Sequence, residues 1–269
     1  MDEYFQANRE DWDRLIGLHE QASFYDLEGF KQGKDRLRSI ELTELGDVSS
    51  KSLLHLQCHF GLDTLAWARR GAIVTGVDFS DKAIALARTL SRELEIPATF
   101  HCANIYRLRE TLSGEFDIVF TSYGVLHWLP DLERWAKIIA HYLKPGGIFY
   151  IVEDHPFFRV FRAKPDGEFR AERPYFFAAE PEQHERQGSY AAGAEAEGET
   201  GTYYIWNHDL GEILNALIGA GLQIEFLHEF PYAARAKFPF MIQGEDGWWR
   251  LPERHGTIPF LFSLQARKG

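Results

Sequence analysis

The stretch Ser52–Ser80 constrains the fold of this chain more than any other, because it places a tight loop between two apolar runs. The first run, Leu53–Leu56, is long enough for a buried strand, and the loop Gln57–Gly61 follows it. The second run, Ala72–Val77, ends at an acidic residue, and a helical segment fills the space between the loop and this run. The stretch therefore predicts a right-handed strand–helix–strand unit of the nucleotide-binding type.

Polar residues and a glycine of this unit predict where a ligand would bind. Asp63 or Thr64 can cap the helix, whose first N–H groups and positive dipole end favour a negatively charged ligand group. Gly61 would let a ligand approach the backbone. Asp78 follows the loop by about twenty residues, where an acid can accept hydrogen bonds from two ribose hydroxyls. An ordinary turn that binds no ligand is the alternative interpretation of this pattern.

Composition and charge restrict the class of protein and of partner. The chain has 269 residues, of which 45% are apolar and 26% charged, and these values are typical of a globular protein with a sizeable core. Its formal net charge of −11 disfavours nucleic acids and anionic membranes, because both attract basic surfaces. No apolar run approaches the roughly 20 residues that cross a bilayer. We therefore expect a small-molecule partner, no nucleic-acid or membrane partner, and a monomer or a homodimer.

Cysteine and histidine spacing predicts no metal site and a reducing compartment. The sequence contains neither a C-x-x-C nor an H-E-x-x-H pattern. Its two cysteines, Cys58 and Cys102, are too few for a disulfide framework. They are interpreted as small buried thiols, and a position near one another beside a bound ligand is the alternative. The acidic, polar start of the sequence does not resemble a secretion signal. We therefore expect a cytoplasmic protein.

Hydrophobic periodicity divides the chain into an N-terminal helical segment, residues 1–48, and a core, residues 49–269. Helical spacing covers about Glu3–Glu20 and Gly33–Leu45 and flanks an irregular aromatic turn at Ser23–Phe30. Strands are predicted in the core at Ala98–Cys102, Phe116–Thr121, Ile148–Glu153, Gln223–Phe230 and Thr257–Gln265, and helices at Leu132–Leu143 and Leu210–Ala220.

A stretch at about 155–204 interrupts this core and is too long for a simple connection. It is rich in Phe and Tyr, and strand-like pieces at Tyr175–Ala178 and Thr202–Trp206 predict an inserted antiparallel flap. The small, acidic run Ala191–Gly201 predicts a mobile loop within it.

The segment Phe116–Glu153 has a characteristic order of short motifs. It begins FDIVFTSYGVLHWLPD, continues as a helix, and reaches KPGG before a further apolar strand. This order resembles that of the class I S-adenosylmethionine-dependent methyltransferases of the small-molecule type, and LHLQCHFG at residues 54–61 stands at the place of their motif I. The usual pattern there is D-x-G-x-G-x-G. This chain has His55, Gln57 and His59 at the first three places and keeps only the last glycine.

The resemblance implies an α/β, Rossmann-like class I methyltransferase fold, with a seven-stranded, mostly parallel sheet and helices on both faces. The N-terminal segment would form a helical lid, in which Trp12, His19 and Tyr25 face the cofactor and substrate. Packing of these side chains between helices and the sheet edge is the alternative. The inserted flap would cover the site, and a dimerisation arm or an edge cover is the alternative for it.

The resemblance also implies a cofactor site. The cofactor would be S-adenosyl-L-methionine, with S-adenosyl-L-homocysteine as its product. The motif I loop would hold its amino-acid end, Asp78 its ribose, and Asn104 with its neighbours the adenine. The full set of expected cofactor-binding residues is Gln57, Cys58, His59, Gly61, Asp78, Phe79, Asn104, Ile105 and Ser122.

The loop after the Phe116–Thr121 strand supplies the two candidate catalytic residues. His127 could be a general base, because imidazole titrates near neutrality, or a positioning or packing residue. Tyr123 could orient a substrate. The expected reaction is transfer of a methyl group to an oxygen, nitrogen or carbon atom of an unidentified small molecule. A non-catalytic binding or scaffolding protein is one alternative. A nicotinamide-dependent oxidoreductase, whose G-x-G-x-x-G loop is absent here, is another.

Overall fold

The computed structural model describes residues 2–164, 168–189, 191, 200–252 and 256–269. Its strands are β1 (Ser52–Leu56), β2 (Ile73–Asp78), β3 (Thr99–Cys102), β4 (Phe116–Ser122), β5 (Leu143–Asp154), β6 (Phe161–Ala163), β7 (Phe169–Ala171), β8 (Glu182–Gln187), β9 (Thr200–Ile205), β10 (Leu222–Phe230), β11 (Ile242–Gln243), β12 (Trp249–Arg250) and β13 (Leu261–Lys268). Its α-helices are α1 (Asp2–Gln21), α2 (Leu27–Lys31), α3 (Ser39–Leu45), α4 (Leu62–Arg69), α5 (Asp81–Glu93), α6 (Leu132–Tyr142) and α7 (Leu210–Gly219). Short 3-10 helices cover Ile105–Glu110, Leu126–Trp128 and Pro156–Val160.

The central sheet has seven strands in the order β10–β13–β5–β4–β1–β2–β3. Neighbours from β5 to β3 pair in parallel, and β13 pairs antiparallel with both β5 and β10. The mostly parallel, seven-stranded sheet expected from the sequence is therefore confirmed. Parallel strands bring their carboxyl ends to one edge of the sheet, which is where α/β proteins bind ligands.

Buried aromatic side chains hold helices on both faces of this sheet. On one face, the ring of Trp67 from α4 lies 5.7 Å from the ring of Phe120 on β4. On the other face, the ring of Trp135 from α6 lies 5.4 Å from the ring of Phe149 on β5. All four side chains are excluded from solvent, so each pair contributes the free energy of burying a large apolar surface. The expected helices on both faces are confirmed.

The N-cap of α4 is Gly61, and the expectation that Asp63 or Thr64 caps this helix was wrong. Gly61 has a φ of +79°, a left-handed backbone that favours glycine, and the helix begins directly after it. The hydroxyl of Thr64 is instead 2.8 Å from His55 Nδ1, and Asp63 Oδ2 accepts a 3.2 Å hydrogen bond from the Ser122 hydroxyl. Both side chains therefore bond to the adjoining strands.

The helices of the N-terminal segment differ from the predicted ones. The predicted helix Glu3–Glu20 is present as α1, but only the end of the predicted Gly33–Leu45 helix forms, as α3. The predicted irregular turn Ser23–Phe30 contains most of α2, because Asp26 accepts a hydrogen bond from the Gly29 N–H and caps a helical turn. Gly33, with a φ of +98°, follows this helix. The chain from there to α3 is extended or irregular.

Two antiparallel hairpins lie in the region predicted as an insertion, residues 155–204. The first joins β6 to β7, and the second joins β8 to β9. The predicted strand Thr202–Trp206 corresponds to β9, whereas Tyr175–Ala178 forms no strand, which corrects that prediction. Most of the predicted mobile loop Ala191–Gly201 lies outside the described residues. The assignment of residues 1–48 as a lid and 49–269 as a core stays a prediction.

Two strand boundaries also differ from the prediction. The final strand begins at Leu261 rather than Thr257, directly after Phe260 and Pro259, and proline lacks the N–H that a sheet ladder needs. The KPGG segment lies within β5 and interrupts its pairing with β4. Phe116 and Ile118 of β4 are two residues apart, but their partners on β5, Leu143 and Ile148, are five residues apart. The KPGG residues therefore form an irregularity inside the strand. Neither difference moves the carboxyl ends of the strands.

Candidate active site

A cavity of about 510 Å³ lies at the carboxyl ends of β1, β2 and β4. Ten of the eleven side chains expected to bind cofactor or substrate line it, and only Gly61 does not. The ten are Gln57, Cys58, His59, Asp78, Phe79, Asn104, Ile105, Ser122, Tyr123 and His127. Residues separated by up to seventy positions in the sequence therefore meet around one space of the size that small-molecule sites have.

Asp78 ends β2 at the wall of this cavity and is 8% exposed. Its carboxylate accepts hydrogen bonds from the His59 N–H, at 2.8 Å, and from the Ser80 N–H, at 2.9 Å. Burial raises the pKa of Asp78 to about 6, although both backbone donors act against that rise. A carboxylate has about four acceptor sites, so two N–H groups leave room for further donors from a ligand.

The motif I loop keeps a left-handed backbone at all three places where the family pattern has glycine. The φ angles are +58° at Gln57, +54° at His59 and +79° at Gly61. Glycine adopts such angles without steric cost, whereas a residue with a side chain needs the surrounding structure to hold it there. The loop therefore follows one tight path even though two of the three glycines are replaced.

Gln57, which lines the cavity, has one unsatisfied acceptor atom. Its Nε2 donates a 3.4 Å hydrogen bond to the Val125 carbonyl, while its buried Oε1 has no hydrogen-bond partner among the described residues. Leaving a buried polar atom unpaired costs about 1–3 kcal/mol, so a ligand with an N–H donor at this point would gain affinity.

His55, at the first place of motif I, is fully enclosed and connects the loop to β4. Its two ring nitrogens lie 2.8 Å from the Thr64 hydroxyl and 3.3 Å from the Ser122 hydroxyl. Burial lowers the pKa of His55 to about 4, so the ring is neutral at neutral pH. His55 therefore fixes the positions of neighbouring polar groups and adds no charge to the site.

Gly61 is not among the residues that line the cavity, and its surroundings show why a glycine stands here. A Cβ atom at this position would lie 2.7 and 2.8 Å from two ring carbons of Phe100 and 3.1 Å from Ala87 Cβ. The glycine is therefore required by packing between β3 and α5 and by its positive φ. A direct contact between Gly61 and a ligand stays a prediction.

The three residues expected around an adenine all line the cavity. Phe79, Asn104 and Ile105 follow β2 and β3. The Asn104 side-chain oxygen accepts a 2.9 Å hydrogen bond from the Tyr106 N–H and caps the Ile105–Glu110 helix. Asn104 therefore forms the turn and also lines the cavity, so its role as a turn former does not exclude a role in binding adenine.

Tyr123 lines the cavity, and its hydroxyl donates a 2.8 Å hydrogen bond to Glu41 of α3. Burial raises the pKa of Tyr123 well above its usual value, and the Glu41 carboxylate raises it further. Glu41 is 1% exposed, and burial raises its pKa to about 7. Sequence periodicity did not single out Glu41, because a glutamate on a short helix is usually a solvated residue.

His127 lies on the Leu126–Trp128 helix at the opening between the loop after β4 and the insertion. Burial lowers its pKa well below the usual value, and the charges of Arg159, Lys237 and Arg235 lower it further. A neutral imidazole with a low pKa is a weak base. The geometry therefore favours the positioning role of His127 over general-base catalysis, and both stay predictions.

The N-terminal segment and the second hairpin together cover the cavity. Trp12 and Tyr25 line it, whereas His19 is buried beneath, with its Nδ1 3.3 Å from His59 Nε2. Asn8 of α1 exchanges two hydrogen bonds with the backbone of Tyr204 on β9, at 2.7 and 2.8 Å. These contacts join the two covering segments to each other as well as to the motif I loop.

The cavity also contains a set of basic side chains that periodicity could not identify. Seven arginine and lysine residues line it, against three carboxylates. Four of the basic residues, Arg159, Arg173, Arg235 and Lys237, come from the insertion and from the segment after β10.

Within the described residues, no group of three or more His, Cys, Asp or Glu side chains is placed to hold a metal ion. No helix in the described ranges is both long and apolar enough to cross a membrane.

Comparison with known proteins agrees with this architecture. Residues 54–151 match the family model of a methyltransferase domain. Ubiquinone biosynthesis O-methyltransferase from Chromobacterium violaceum is 32% identical over 100 residues, which cover 37% of this chain and 43% of that protein. The protein of the same name from Coxiella burnetii is 35% identical over 100 residues, covering 37% and 42%. The chain thus spans less than half the length of these curated relatives.

Solved structures extend the likeness beyond the matched segment. The crystal structure of an S-adenosylmethionine-dependent methyltransferase from Mesorhizobium loti aligns with 84% of this chain and 94% of its own, with a TM-score of 0.56 and 23% identity. At that identity the likeness concerns the fold. The family match identifies residues 54–151 as a methyltransferase domain, and the sheet order and overall fold are those shared with the S-adenosylmethionine-dependent methyltransferase structure.

Proposed function

We propose that this protein transfers a methyl group from S-adenosylmethionine to an oxygen, nitrogen or carbon atom of a small molecule. The observation that carries the proposal is the convergence of ten expected site residues on one cavity at the strand ends of a methyltransferase domain. The named relatives, which are O-methyltransferases, support an oxygen acceptor, although they cover only part of the chain.

The donors and acceptors of the cavity fit the cofactor. The Asp78 carboxylate keeps acceptor sites for the two ribose hydroxyls after it has bound two backbone N–H groups. The unpaired Gln57 Oε1 suits the ammonium group at the amino-acid end. Phe79 and Ile105 line the cavity and offer apolar contact to a flat ring, and Asn104 lines the same cavity.

When bound, the cofactor supplies an electrophilic sulfonium methyl group, and its sulfur keeps the electron pair of the broken carbon–sulfur bond. The protein has to align the acceptor atom with that methyl group and exclude water. Trp12 and Tyr25 from the N-terminal segment close one side of the cavity and would act as the lid. Tyr123, fixed by Glu41, and the neutral His127 would position the acceptor.

Calorimetric titration of the full chain with S-adenosylmethionine and S-adenosylhomocysteine, with NADH as control, tests the proposal. Micromolar binding of both sulfur compounds and none of NADH is expected. Failure to bind either would contradict the proposal and favour a scaffolding protein whose altered loop has lost the cofactor. Binding of NADH would favour the oxidoreductase. A screen of candidate acceptors with radiolabelled cofactor then tests catalysis.

Two further expectations belong to the same proposal. The free thiols of Cys58 and Cys102 support a reducing, cytoplasmic setting. The net charge of −11 supports a small-molecule acceptor rather than a nucleic acid. Size-exclusion chromatography with light scattering decides between a monomer and a homodimer.

A further inference from the structure

One end of the cavity, formed by Arg159, Arg173, Arg235 and Lys237, carries a concentration of positive charge. Arg159 lies on the Pro156–Val160 helix that directly follows β5, and Arg173 follows β7. The Arg173 N–H donates a 3.1 Å hydrogen bond to the Val160 carbonyl, which holds these two segments together. All four side chains line the same cavity, and we refer to them as the cationic end.

Three carboxylates, Asp154, Glu153 and Glu182, lie near the cationic end. Lys237 forms a buried ion pair of 2.5 Å with Asp154, in which the two side chains are 4% and 6% exposed. Glu153 is also buried, but its oxygens accept hydrogen bonds from the N–H groups of Gly124, Val125, Leu126 and Asp154. Glu182, which interacts electrostatically with Arg173, already accepts hydrogen bonds from Asn207 and His184.

Two guanidinium groups of the cationic end keep unsatisfied donors. The Nε atoms of Arg159 and Arg173 are buried and have no hydrogen-bond partner among the described residues. Burial lowers the pKa of Arg159; the Asp154 carboxylate opposes this shift, and the nearby Arg173 and Arg235 add to it. A chain with a net charge of −11 has no general excess of cations, so this arrangement is local. Buried, unpaired N–H donors on cations are the chemistry that binds carboxylates and phosphates.

The cationic end adjoins the place where the methyl acceptor would lie. A Cβ atom built on Gly124 would lie 3.8 Å from both Asp154 Oδ2 and His127 Cε1, so Asp154 and His127 flank the same residue of the loop after β4. Phe158 and Phe238 line the adjoining wall, and Lys237 Nζ lies 5.2 Å from the centre of the Phe158 ring. An anionic group and an apolar body would both find contacts here.

We propose that the methyl acceptor is an organic anion, whose carboxylate or phosphate group binds Arg159, Arg173, Arg235 and Lys237 while its apolar body lies against Phe158 and Phe238. This inference rests on the proposed function, since it names the class of acceptor for the same site. The anion would accept hydrogen bonds from Arg159 and Arg173, whose Nε donors are unpaired among the described residues. Its other end would then extend toward His127 and the cofactor.

Calorimetry on the full chain saturated with S-adenosylhomocysteine tests the inference with three probes. Phenyl phosphate and benzoate share an aromatic ring but differ in their anionic group, and benzyl alcohol is their neutral counterpart. We expect at least one anion to bind with a stoichiometry of one and benzyl alcohol not to bind. The two anion arms show whether phosphate or carboxylate is preferred. Absence of binding by both anions would overturn the inference.

Matched arginine variants locate the binding. Arg159→Gln and Arg173→Gln should each weaken anion binding at least about tenfold, the loss expected for one charged hydrogen bond. Arg170→Gln, on the same hairpin but with its side chain 62% exposed, should leave anion binding unchanged. Equal anion affinity in Arg159→Gln and Arg170→Gln would overturn the inference. The melting temperatures of the anion-free Arg159→Gln and Arg173→Gln proteins should not fall, because each variant removes one of several close like charges. An unchanged melting temperature shows that weaker anion binding does not come from misfolding.

The affinity for S-adenosylhomocysteine, measured on the same samples, separates this inference from the proposed function. Unchanged cofactor affinity with lost anion binding in Arg159→Gln supports the cationic end as an acceptor site. Cofactor binding without any anion binding would overturn the inference and leave the methyltransferase proposal intact. Absence of cofactor binding would contradict the methyltransferase proposal, and therefore also the role of the cationic end in binding an acceptor.

Discussion

Tyr123 and Glu41 join the substrate side of the site to the N-terminal segment through one buried hydrogen bond of 2.8 Å. Tyr123 follows β4, and Glu41 lies on α3, so the bond connects two parts of the chain that are 82 residues apart. Glu41 also accepts a 2.7 Å hydrogen bond from the Arg38 N–H. The position of the Tyr123 side chain in the cavity therefore depends on α3 being in place.

The buried carboxyl of Glu41 should make the stability of the protein fall as the pH rises. Its pKa in the folded protein is about 7, above its ordinary value of 4.5, so the folded state keeps a proton that the unfolded state has lost. Between these two values the free energy of unfolding decreases with rising pH. The Glu41→Gln variant has no carboxyl group at this position, so this pH-dependent part of the free energy of unfolding is absent. Thermal unfolding of Glu41→Gln and wild type should therefore diverge, in favour of the variant, from pH 5 to pH 8.

Glu133→Gln is the control for this experiment, because it removes one carboxylate from α6 at a side chain that is 80% exposed. The raised pKa of Glu41 would be contradicted if the stability difference between Glu41→Gln and wild type stayed constant with pH. It would also be contradicted if Glu133→Gln showed the same pH dependence as Glu41→Gln. Circular dichroism at each pH confirms that the variants remain folded.

Asp78→Asn should weaken binding of S-adenosylmethionine by about tenfold to a hundredfold, since a hydrogen bond to a charged group contributes about 1.5–3 kcal/mol. Because burial raises the pKa of Asp78 to about 6, the neutral amide should not destabilise the protein at neutral pH. Calorimetry measures the affinity. Asp47→Asn is the matched control, because the Asp47 carboxylate also accepts a backbone hydrogen bond but is exposed and outside the cavity. Equal affinities in the two variants would show that Asp78 does not bind the cofactor.

Gly61→Ala should destabilise the protein by about 2–4 kcal/mol, because it combines a positive φ with a clash. The new Cβ would lie 2.7 Å from the Phe100 ring. Gly146→Ala separates the two causes, since Gly146 has a φ of +74° with nothing within 4 Å of its Cβ position. Urea unfolding should show a smaller loss for Gly146→Ala, and Phe100→Leu should partly rescue Gly61→Ala. Equal losses in both alanine variants would exclude a packing role for Gly61.

The sheet and most of the cofactor wall could be predicted because they depend on local signals. Apolar runs set the strands, and the carboxyl ends of parallel strands necessarily meet, so Gln57, Asp78, Asn104 and Ser122 reach one cavity. The start of α4 could not be predicted, because Gly61 caps it through its backbone and not through a side chain.

The residues on the acceptor side of the cavity could not be predicted from the sequence, for a different reason. Arg159, Arg173 and Lys237 come from a short 3-10 helix and two separate loops, and no periodicity relates them. Glu41 likewise is buried and bonded to Tyr123, which is 82 residues away in the sequence. Such groups meet through tertiary contacts, which the spacing of residues along a chain does not encode.

His127 should remain uncharged between about pH 6 and about pH 8 in the anion-free protein, because burial and the nearby Arg159 and Lys237 disfavour its protonated form. In proton NMR spectra, the Cε1 proton of His127, assigned by its loss in His127→Gln, should keep a constant shift over that range. Bound phenyl phosphate would cancel part of the positive potential, so the titration midpoint should then rise. A midpoint near 6.5 in the anion-free protein would contradict the burial argument and restore His127 as a candidate general base. A midpoint that does not move with the anion would show that the anion binds away from the cationic end.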